Sequence, residues 1–410
     1  MPRAAAGVIK LLTKLPHGML DLRLPDGSCH QFGHDDPLHP KQPAERAILH
    51  ITDWQVFGRT LKSGDIGFAE SFMDGQWSTP DLPALLNLLV RNRTHMESAV
   101  YGSWWGAVAY RIKHWLNRNS RQGSAKNIHA HYDLGNDFYR LWLDPTMSYS
   151  SAWFEGNTAQ SMPSAQHAKI TRALREVDVR PGSRVLEVGC GWGGLAEVAA
   201  RDFGAHVTGV TLSREQLDWA QTRMARAGLE GQSDLRYQDY RDLAPATTAQ
   251  QDTPETFDAI VSIEMFEAVG REYWDSYFAM LRRCLKPGGK ACIQSITIRD
   301  DLFERYVRST DFIQQYIFPG GLLPSPSVFE AEAKKAGLVV TNRLAFGQDY
   351  AETLRRWRAD FQRQEQAVRK QGFDTRFIRT WEFYLAYCEA AFVQGNTDVM
   401  QFTLCRAEDC

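Results

Sequence analysis

The 410-residue chain has little net charge, no regularly spaced cysteines and no long apolar run. Its 47 Lys and Arg residues nearly balance 49 Asp and Glu residues, which gives no global attraction to nucleic acid, and we expect no nucleic-acid partner. The seven cysteines are widely spread and form no CxxC pair, so a zinc or dithiol centre is not expected. We predict reduced thiols in a cytoplasmic protein without a bound metal.

The apolar pattern contains neither a membrane span nor a secretion signal. No apolar run approaches the roughly 18 to 20 residues that a spanning helix needs. The short apolar stretch at residues 4–9 is soon followed by Lys10 and Lys14, unlike a secretory leader. Because a chain of 410 residues is too long to fold around one hydrophobic core of ordinary size, we expect one large domain and one smaller domain.

Residues 1–118 have the pattern of a small mixed α+β domain. One role considered for this domain is contact with lipid or with a membrane. Alternating apolar residues at 20–24 run into Pro25-Asp26-Gly27, which predicts a hairpin. Asp81 precedes leucines at helical spacing, which predicts an N-capped helix over 81–90.

Residues 103–127 contain arginines, lysines and tryptophans but no acidic residue. One interpretation is a solvated linker whose tryptophans pack on the neighbouring domain. The other is an interfacial segment, because indoles favour the bilayer boundary and cations are attracted to anionic headgroups. Composition leaves both interpretations open.

From about residue 128 the pattern alternates between strands and helices. Such alternation predicts a mostly parallel sheet with helices on both faces, which we place at residues 128–410. The predicted strands are 184–188, 205–210, 257–263 and 290–298, and the predicted helices include 214–227 and 271–285.

Residues 185–194 predict a strand, a glycine-rich turn and a helix start. Without Cβ atoms, Gly189, Gly191 and Gly193 let backbone amides approach a ligand closely. The acidic Glu187 and the departure from GxGxxG spacing favour S-adenosylmethionine over NAD, although another nucleotide or a purely structural turn stays open.

Polar residues after the next strands extend this candidate cofactor site. Thr211, Ser213 and Gln216 offer hydroxyls and an amide for a ribose diol, while Asp239 is placed to accept from an adenine amino group. Thr211 and Ser213 also suit helix caps, and the two roles are compatible.

The motifs together resemble the cyclopropane-fatty-acyl-phospholipid synthase and mycolic acid cyclopropane synthase family, in order over residues 128–405. They are HYDL at 131–134, DFY at 137–139, YSSAWF at 149–154, the turn at 187–194, MFEAVG at 265–270 and YIFPGGLLPS at 316–325.

The resemblance implies a class I methyltransferase, with a Rossmann-like doubly wound sheet of seven strands. It implies methylene transfer from S-adenosylmethionine to the cis double bond of an unsaturated acyl chain in a membrane phospholipid, forming a cyclopropane fatty acid. Peripheral contact with the inner membrane leaflet follows from that substrate, and a homodimer is considered. Tyr149 and Ser150 correspond to cofactor-contacting positions.

The family also holds bicarbonate as a general base. The positions implied for it here are Ser151, Glu267, Gln294, Ile296 and Tyr350. Ser151 replaces a common Cys and Gln294 a common His, and an amide cannot take up a proton. We assign the catalytic carboxylate to Glu267, with Glu264 lining the cofactor pocket or supporting its partner.

Two alternatives to this function remain open. Because Gln294 and Ser151 depart from the family pattern, the first alternative is methyl transfer without ring closure. This reaction gives a methyl-branched or methylene fatty acid. The second alternative is a lipid-binding or carrier protein that has lost the enzymatic activity, and the intact glycine turn argues against it. The apolar segment 312–323 is either a wall of an acyl-chain tunnel or a core helix with its stop.

Overall fold

The computed structural model describes residues 1–33, 46–93, 134–243 and 255–410. They fall into two compact units. The first contains described residues of Met1–Leu116 together with Arg308–Pro319 and Leu354–Asn396, and the second contains described residues of Asn117–Val307 together with Gly320–Thr353 and Thr397–Cys410. The basic segment 103–127 and the 131–133 part of the HYDL motif lie outside the described residues.

The elements of both units are numbered here along the chain. The strands are β1 (Met19–Arg23), β2 (Cys29–Gly33), β3 (Arg46–Ile51), β4 (Trp77–Ser78), β5 (Arg184–Val188), β6 (His206–Thr211), β7 (Ser233–Tyr237), β8 (Phe257–Ile263), β9 (Leu285–Ile298), β10 (Leu338–Ala345) and β11 (Thr397–Arg406). The helices are α1 (Arg3–Leu12), α2 (Gln55–Met73), α3 (Leu82–Arg91), α4 (Asn136–Tyr139), α5 (Met162–Glu176), α6 (Gly194–Phe203), α7 (Arg214–Arg226), α8 (Trp274–Cys284), α9 (Asp300–Arg308), α10 (Phe312–Tyr316), α11 (Pro326–Lys335), α12 (Gly347–Arg363), α13 (Glu365–Lys370) and α14 (Thr375–Val393).

The first unit has a four-stranded sheet in the order β2-β1-β3-β4. The predicted hairpin is confirmed, since β1 pairs antiparallel with β2. The predicted N-cap is also confirmed, because the Asp81 side chain accepts the Ala84 N–H at 3.0 Å. Phe312 of α10 is fully buried with its ring 4.9 Å from that of Phe383, which matches the core-helix alternative for the start of segment 312–323.

The second unit has a seven-stranded sheet in the order β10-β11-β9-β8-β5-β6-β7. Neighbours from β9 to β7 are parallel, whereas β11 is antiparallel to both β10 and β9. Alternate residues of one strand enter different cores: Val185 packs with α5, α6 and α7, and Leu186 packs with α8 and α11. This doubly wound sheet confirms the predicted fold class.

Most strand predictions hold to within a residue, and two expectations require correction. β9 begins at Leu285 rather than 290, because Leu285 pairs with Phe257 before the register shifts and Lys290 pairs with Ala259. The expectation of seven reduced thiols is not met at the C terminus, where Cys405 and Cys410 are paired. Among the described residues, no helix is long and apolar enough to cross a membrane.

Candidate active site

A cavity of about 180 Å³ lies where β5, β6 and β8 end in the second unit. The sheet order reverses between β5 and β8, and the carboxyl ends of strands at such a point form a crevice in open α/β sheets. The predicted cofactor positions that line this cavity are Tyr149, Ser150, Glu187, Gly189, Gly191, Thr211 and Gln216.

The glycines of the turn differ in what they do. Gly191 has a φ of 49°, and a Cβ atom there would meet no protein atom within 4 Å, so the position is open to a ligand. Gly193 has a φ of 79°, and a Cβ atom there would lie 2.9 Å from Cβ of Ala220 on α7. Gly193 therefore serves the packing of α6 against α7 and does not line the cavity.

Two further predicted cofactor positions are engaged by the protein itself. The Ser213 hydroxyl accepts the Gln216 N–H at 3.3 Å and caps α7. The Asp239 carboxylate accepts from the Arg241 guanidinium, with Nε at 2.9 Å and Nη2 at 2.5 Å. Neither side chain lines the cavity, whereas Gln238, Tyr240 and Arg241 do.

The cavity suits S-adenosylmethionine. Hydroxyl and amide groups at Thr211 and Gln216 accompany apolar side chains at Val210, Ile263 and Met265, which suits a nucleoside. Glu187 is buried, and its Oε2 has no hydrogen-bond partner among the described residues, so a carboxylate is available to a cationic ligand. Burial raises the pKa of Glu187 in the absence of such a ligand.

The carboxylate of Glu264 collects three donors beside this cavity. Its Oε1 accepts the Ser151 backbone N–H and the Gln294 side-chain amide, both at 2.8 Å. Its Oε2 accepts the Tyr350 hydroxyl at 2.7 Å. Glu264 lines the cavity and has a φ of 50°, a conformation that is uncommon for a residue with a side chain.

A second layer of hydrogen bonds orients the Gln294 amide. Gln401 of β11 is the register partner of Gln294 on β9, and its Nε2 donates to Gln294 Oε1 at 3.0 Å. Arg172 of α5 in turn donates to Gln401 Oε1 at 2.5 Å. Since the Gln294 oxygen is already occupied by Gln401, its NH₂ group is directed at Glu264.

Glu267 occupies a different environment from Glu264. Its Oε1 accepts the backbone N–H of Ile296, and its Oε2 has no hydrogen-bond partner among the described residues. Burial and the nearby negative charge of Glu264 raise the pKa of Glu267. The protonated form of Glu267 is therefore favoured, and its side chain does not line the cavity.

Lys169 and Gln166 of α5 were not anticipated from the sequence. Lys169 is 1% exposed, and its Nζ donates to Ser150 Oγ and to Gln166 Oε1, each at 2.6 Å. Burial lowers the pKa of Lys169 to about 8, while the carboxylates of Glu264, Asp144 and Glu187 oppose that shift. Both residues lie on the buried face of α5. A charged residue at helical spacing among apolar residues is the sequence signal that could have identified Lys169.

The structure brings together the positions that the resemblance assigned to bicarbonate, but around protein carboxylates. Ser151, Gln294 and Tyr350 all donate to Glu264, and Ile296 donates to Glu267. The Ser151 hydroxyl itself donates to the Ala152 carbonyl at 2.9 Å, so this position contributes its backbone amide to Glu264. These donors therefore do not fit an additional anion at the same place.

Comparison with known proteins gives the family. The family described as mycolic acid cyclopropane synthetase matches residues 119–402. The tuberculostearic acid methyltransferase of Mycobacterium tuberculosis is 37% identical over 98% of this chain and 92% of its own. The cyclopropane-fatty-acyl-phospholipid synthase of Escherichia coli is 33% identical, with 88% of each chain covered.

A solved structure agrees with these sequence matches. A mycolic acid cyclopropane synthase, crystallised with SAH and CTAB, superposes with a TM-score of 0.61 at 33% identity. The superposition covers 68% of this chain and 97% of that one. The chain thus belongs to the mycolic acid cyclopropane synthetase family and is an S-adenosylmethionine-dependent methyltransferase that acts on lipid unsaturation.

Proposed function

We propose that the protein transfers a methylene group from S-adenosylmethionine to the cis double bond of an unsaturated phospholipid acyl chain, forming a cyclopropane fatty acid. The observation that carries this proposal is the Glu264 carboxylate, held by three donors at the wall of the cofactor cavity. A buried carboxylate at this place suits a reaction that develops positive charge and then releases a proton.

S-adenosylmethionine supplies an activated methyl group, and the protein residues position it and manage charge. Tyr149, Ser150, Gly189, Gly191 and Gln216 would hold the cofactor. An alkene is a weak, neutral nucleophile, so alignment matters: near-attack geometry supplies on the order of 7 to 11 kcal/mol. The negative charge of Glu264 stabilises the cation that develops on the lipid.

Methyl transfer without ring closure is the second candidate function. The tuberculostearic acid methyltransferase matches 98% of this chain, and its name refers to a fatty acid rather than to a cyclopropane. Loss of a proton from an open cation gives a methylene or other unsaturated branched chain. A saturated methyl branch would in addition need a hydride donor supplied by another protein.

We also propose peripheral contact with the inner membrane leaflet from the cytoplasm, because the substrate is a membrane lipid. The first unit supports this with a cavity of about 170 Å³ lined mainly by apolar side chains, among them Leu20, Leu49, Phe57 and Leu86. Such a lining suits a hydrocarbon chain. A homodimer is likewise a proposal. So is the assignment of lipid or membrane contact to residues 1–118 and of catalysis to residues 128–410.

The test is isotopic labelling in a host without its own synthase. Cells expressing the protein receive methyl-labelled methionine, and fatty acids are derivatised and analysed by gas chromatography with mass spectrometry, with an empty-vector culture as control. Label in a ring carbon supports cyclopropane formation, and label in a branch or exocyclic methylene supports the second candidate. No label in any fatty acid, despite soluble protein that binds S-adenosylhomocysteine, contradicts both.

A further inference from the structure

We propose that Glu264 is the general base of this enzyme and takes the place of a bound bicarbonate ion. The proposal rests on the methyl transfer proposed above and applies to either product. It assigns proton abstraction to a residue of the chain itself, at a position that the sequence interpretation expected to line the cofactor pocket or to support Glu267.

The geometry of the donors carries the proposal. A carboxylate and a bicarbonate ion both present planar oxygen acceptors, and the donors assigned to bicarbonate at Ser151, Gln294 and Tyr350 instead reach Glu264 at 2.7 to 2.8 Å. Three donors leave about one of the four acceptor sites of a carboxylate open for a proton. The φ of 50° at Glu264 shows that the backbone adopts an uncommon conformation to place this side chain.

Glu264 also suits the role better than Glu267. It lines the cofactor cavity, as does Lys169, whose charge favours the ionised form of Glu264. Glu267 is held at one oxygen only, by the Ile296 N–H, and does not line the cavity. Burial raises the pKa of both carboxyl groups, but only at Glu264 do a nearby cation and three donors oppose that shift, and only Glu264 lines the cofactor cavity.

The step balances without a further reagent. As one alkene carbon bonds to the methyl carbon, the methyl–sulfur bond breaks and its electron pair stays on sulfur, which leaves a cation on the second alkene carbon. Glu264 accepts a proton from the transferred methyl group, and the C–H electron pair closes the ring. In the open-chain case a 1,2-hydride shift first moves the cation to the carbon that carries the methyl group. Glu264 then accepts a proton from that methyl group, and the C–H electron pair forms an exocyclic double bond. Glu264 afterwards releases the proton to water.

The first arm of the test measures binding and needs no lipid. The full-length protein with S-adenosylhomocysteine is titrated with ¹³C-bicarbonate and followed by NMR line broadening, for wild type, Glu264→Gly, Glu264→Gln and the exposed control Glu272→Gln. Glycine tolerates the positive φ, so Glu264→Gly should fold and open the site. We expect saturable bicarbonate binding by Glu264→Gly alone. Saturable binding by wild type, or none by Glu264→Gly, overturns the proposal.

The second arm measures turnover on unsaturated phospholipid vesicles in CO₂-depleted buffer. Wild type and Glu272→Gln should be insensitive to added bicarbonate, and Glu264→Gln should fall by about 100-fold or more with or without it. Glu264→Gly should lose turnover similarly and regain it with bicarbonate or formate. Wild-type turnover in Glu264→Gln contradicts the proposal. Absence of transfer by wild type would instead count against the proposed function, and the binding arm still decides whether Glu264 takes the place of bicarbonate.

Discussion

Glu264 and Glu267 are three residues apart, yet their carboxylates have different partners. The family resemblance implied a bicarbonate site formed by one carboxylate, Glu267, with backbone amides, an amide side chain and a tyrosine, and the structure divides these donors between Glu264 and Glu267. The resemblance did not predict which carboxylate receives the donors. That depends on the left-handed conformation of Glu264, which lies outside any helical turn and which side-chain chemistry alone does not indicate.

Lys169 offers a test of electrostatics at the scale of one residue. Burial raises the pKa of Glu264 and the ammonium of Lys169 opposes that shift, so Lys169→Met should raise this pKa further and move the acidic limb of the kcat/KM profile to higher pH. Lys169 loses its own charge above a pH of about 8, so the effect of the substitution on the pH dependence should be confined to lower pH. The measurement is the pH–rate profile of both proteins.

S-adenosylhomocysteine binding at pH 7 provides the control for folding of Lys169→Met. If Lys169 only held Ser150 in position, turnover would fall equally at every pH and the acidic limb would stay where it is in wild type. An unmoved acidic limb would therefore contradict the electrostatic role and leave only the hydrogen bond from Nζ to Ser150.

At the scale of elements, local sequence patterns predicted the bounds of individual strands. The strand at 184–188 and the strand at 257–263 have the predicted bounds, because each is a short apolar run with turn residues on both sides. The pairing of Gln294 with Gln401 was not predictable in this way. It arises from the antiparallel register of β9 and β11, which are separated by more than one hundred residues and meet only in the folded sheet.

The glycine turn before α6 gives a matched pair of substitutions. Gly193→Ala should destabilise the protein by about 2 to 5 kcal/mol, because the overlap of the new Cβ with Ala220 at 2.9 Å adds to the backbone strain at a φ of 79°. Gly191→Ala meets no protein atom within 4 Å, so it should cost only the backbone strain of about 1 to 2 kcal/mol but project a methyl group toward the cofactor. We expect S-adenosylhomocysteine affinity to fall about tenfold or more for Gly191→Ala only.

Thermal unfolding and calorimetric titration of the two glycine variants are compared under one buffer condition. Equal loss of affinity in both variants would mean that the turn acts as a rigid unit. In that case the separation of a binding glycine from a packing glycine would be wrong.

At the scale of the whole molecule, the order of elements predicted the fold class but not the composition of the compact units. The sequence separates residues 1–118 from 128–410, whereas the first unit also contains Arg308–Pro319 and Leu354–Asn396. Helical patterns in these later segments show an apolar stripe, but a stripe does not identify the surface that it packs against. Only the folded chain shows that α10 and α14 contribute to the first unit.

Buried carboxyl groups are present in both units, and they make stability depend on pH in a defined direction. Desolvation raises the pKa of Asp65 and Asp311 in the first unit, and of Glu187, Glu264 and Glu267 in the second. A raised pKa means that the folded state binds more protons than the unfolded state between the two pKa values. Each such group therefore lowers the free energy of unfolding as pH rises through that interval.

Asp311 gives the clearest test, because its side chain caps α10 while its pKa is raised to about 6, first by burial and then by the charge of Asp65. Ionising it should lower the stability of the fold by up to roughly 3 kcal/mol between pH 3.8 and about 6. Asn caps a helix about as well as Asp and does not titrate, so Asp311→Asn should raise the midpoint of thermal unfolding at pH 7.5 but not at pH 4. An equal change at both pH values would show that Asp311 acts only as a cap, since the loss of a cap does not depend on the charge of the folded carboxyl group.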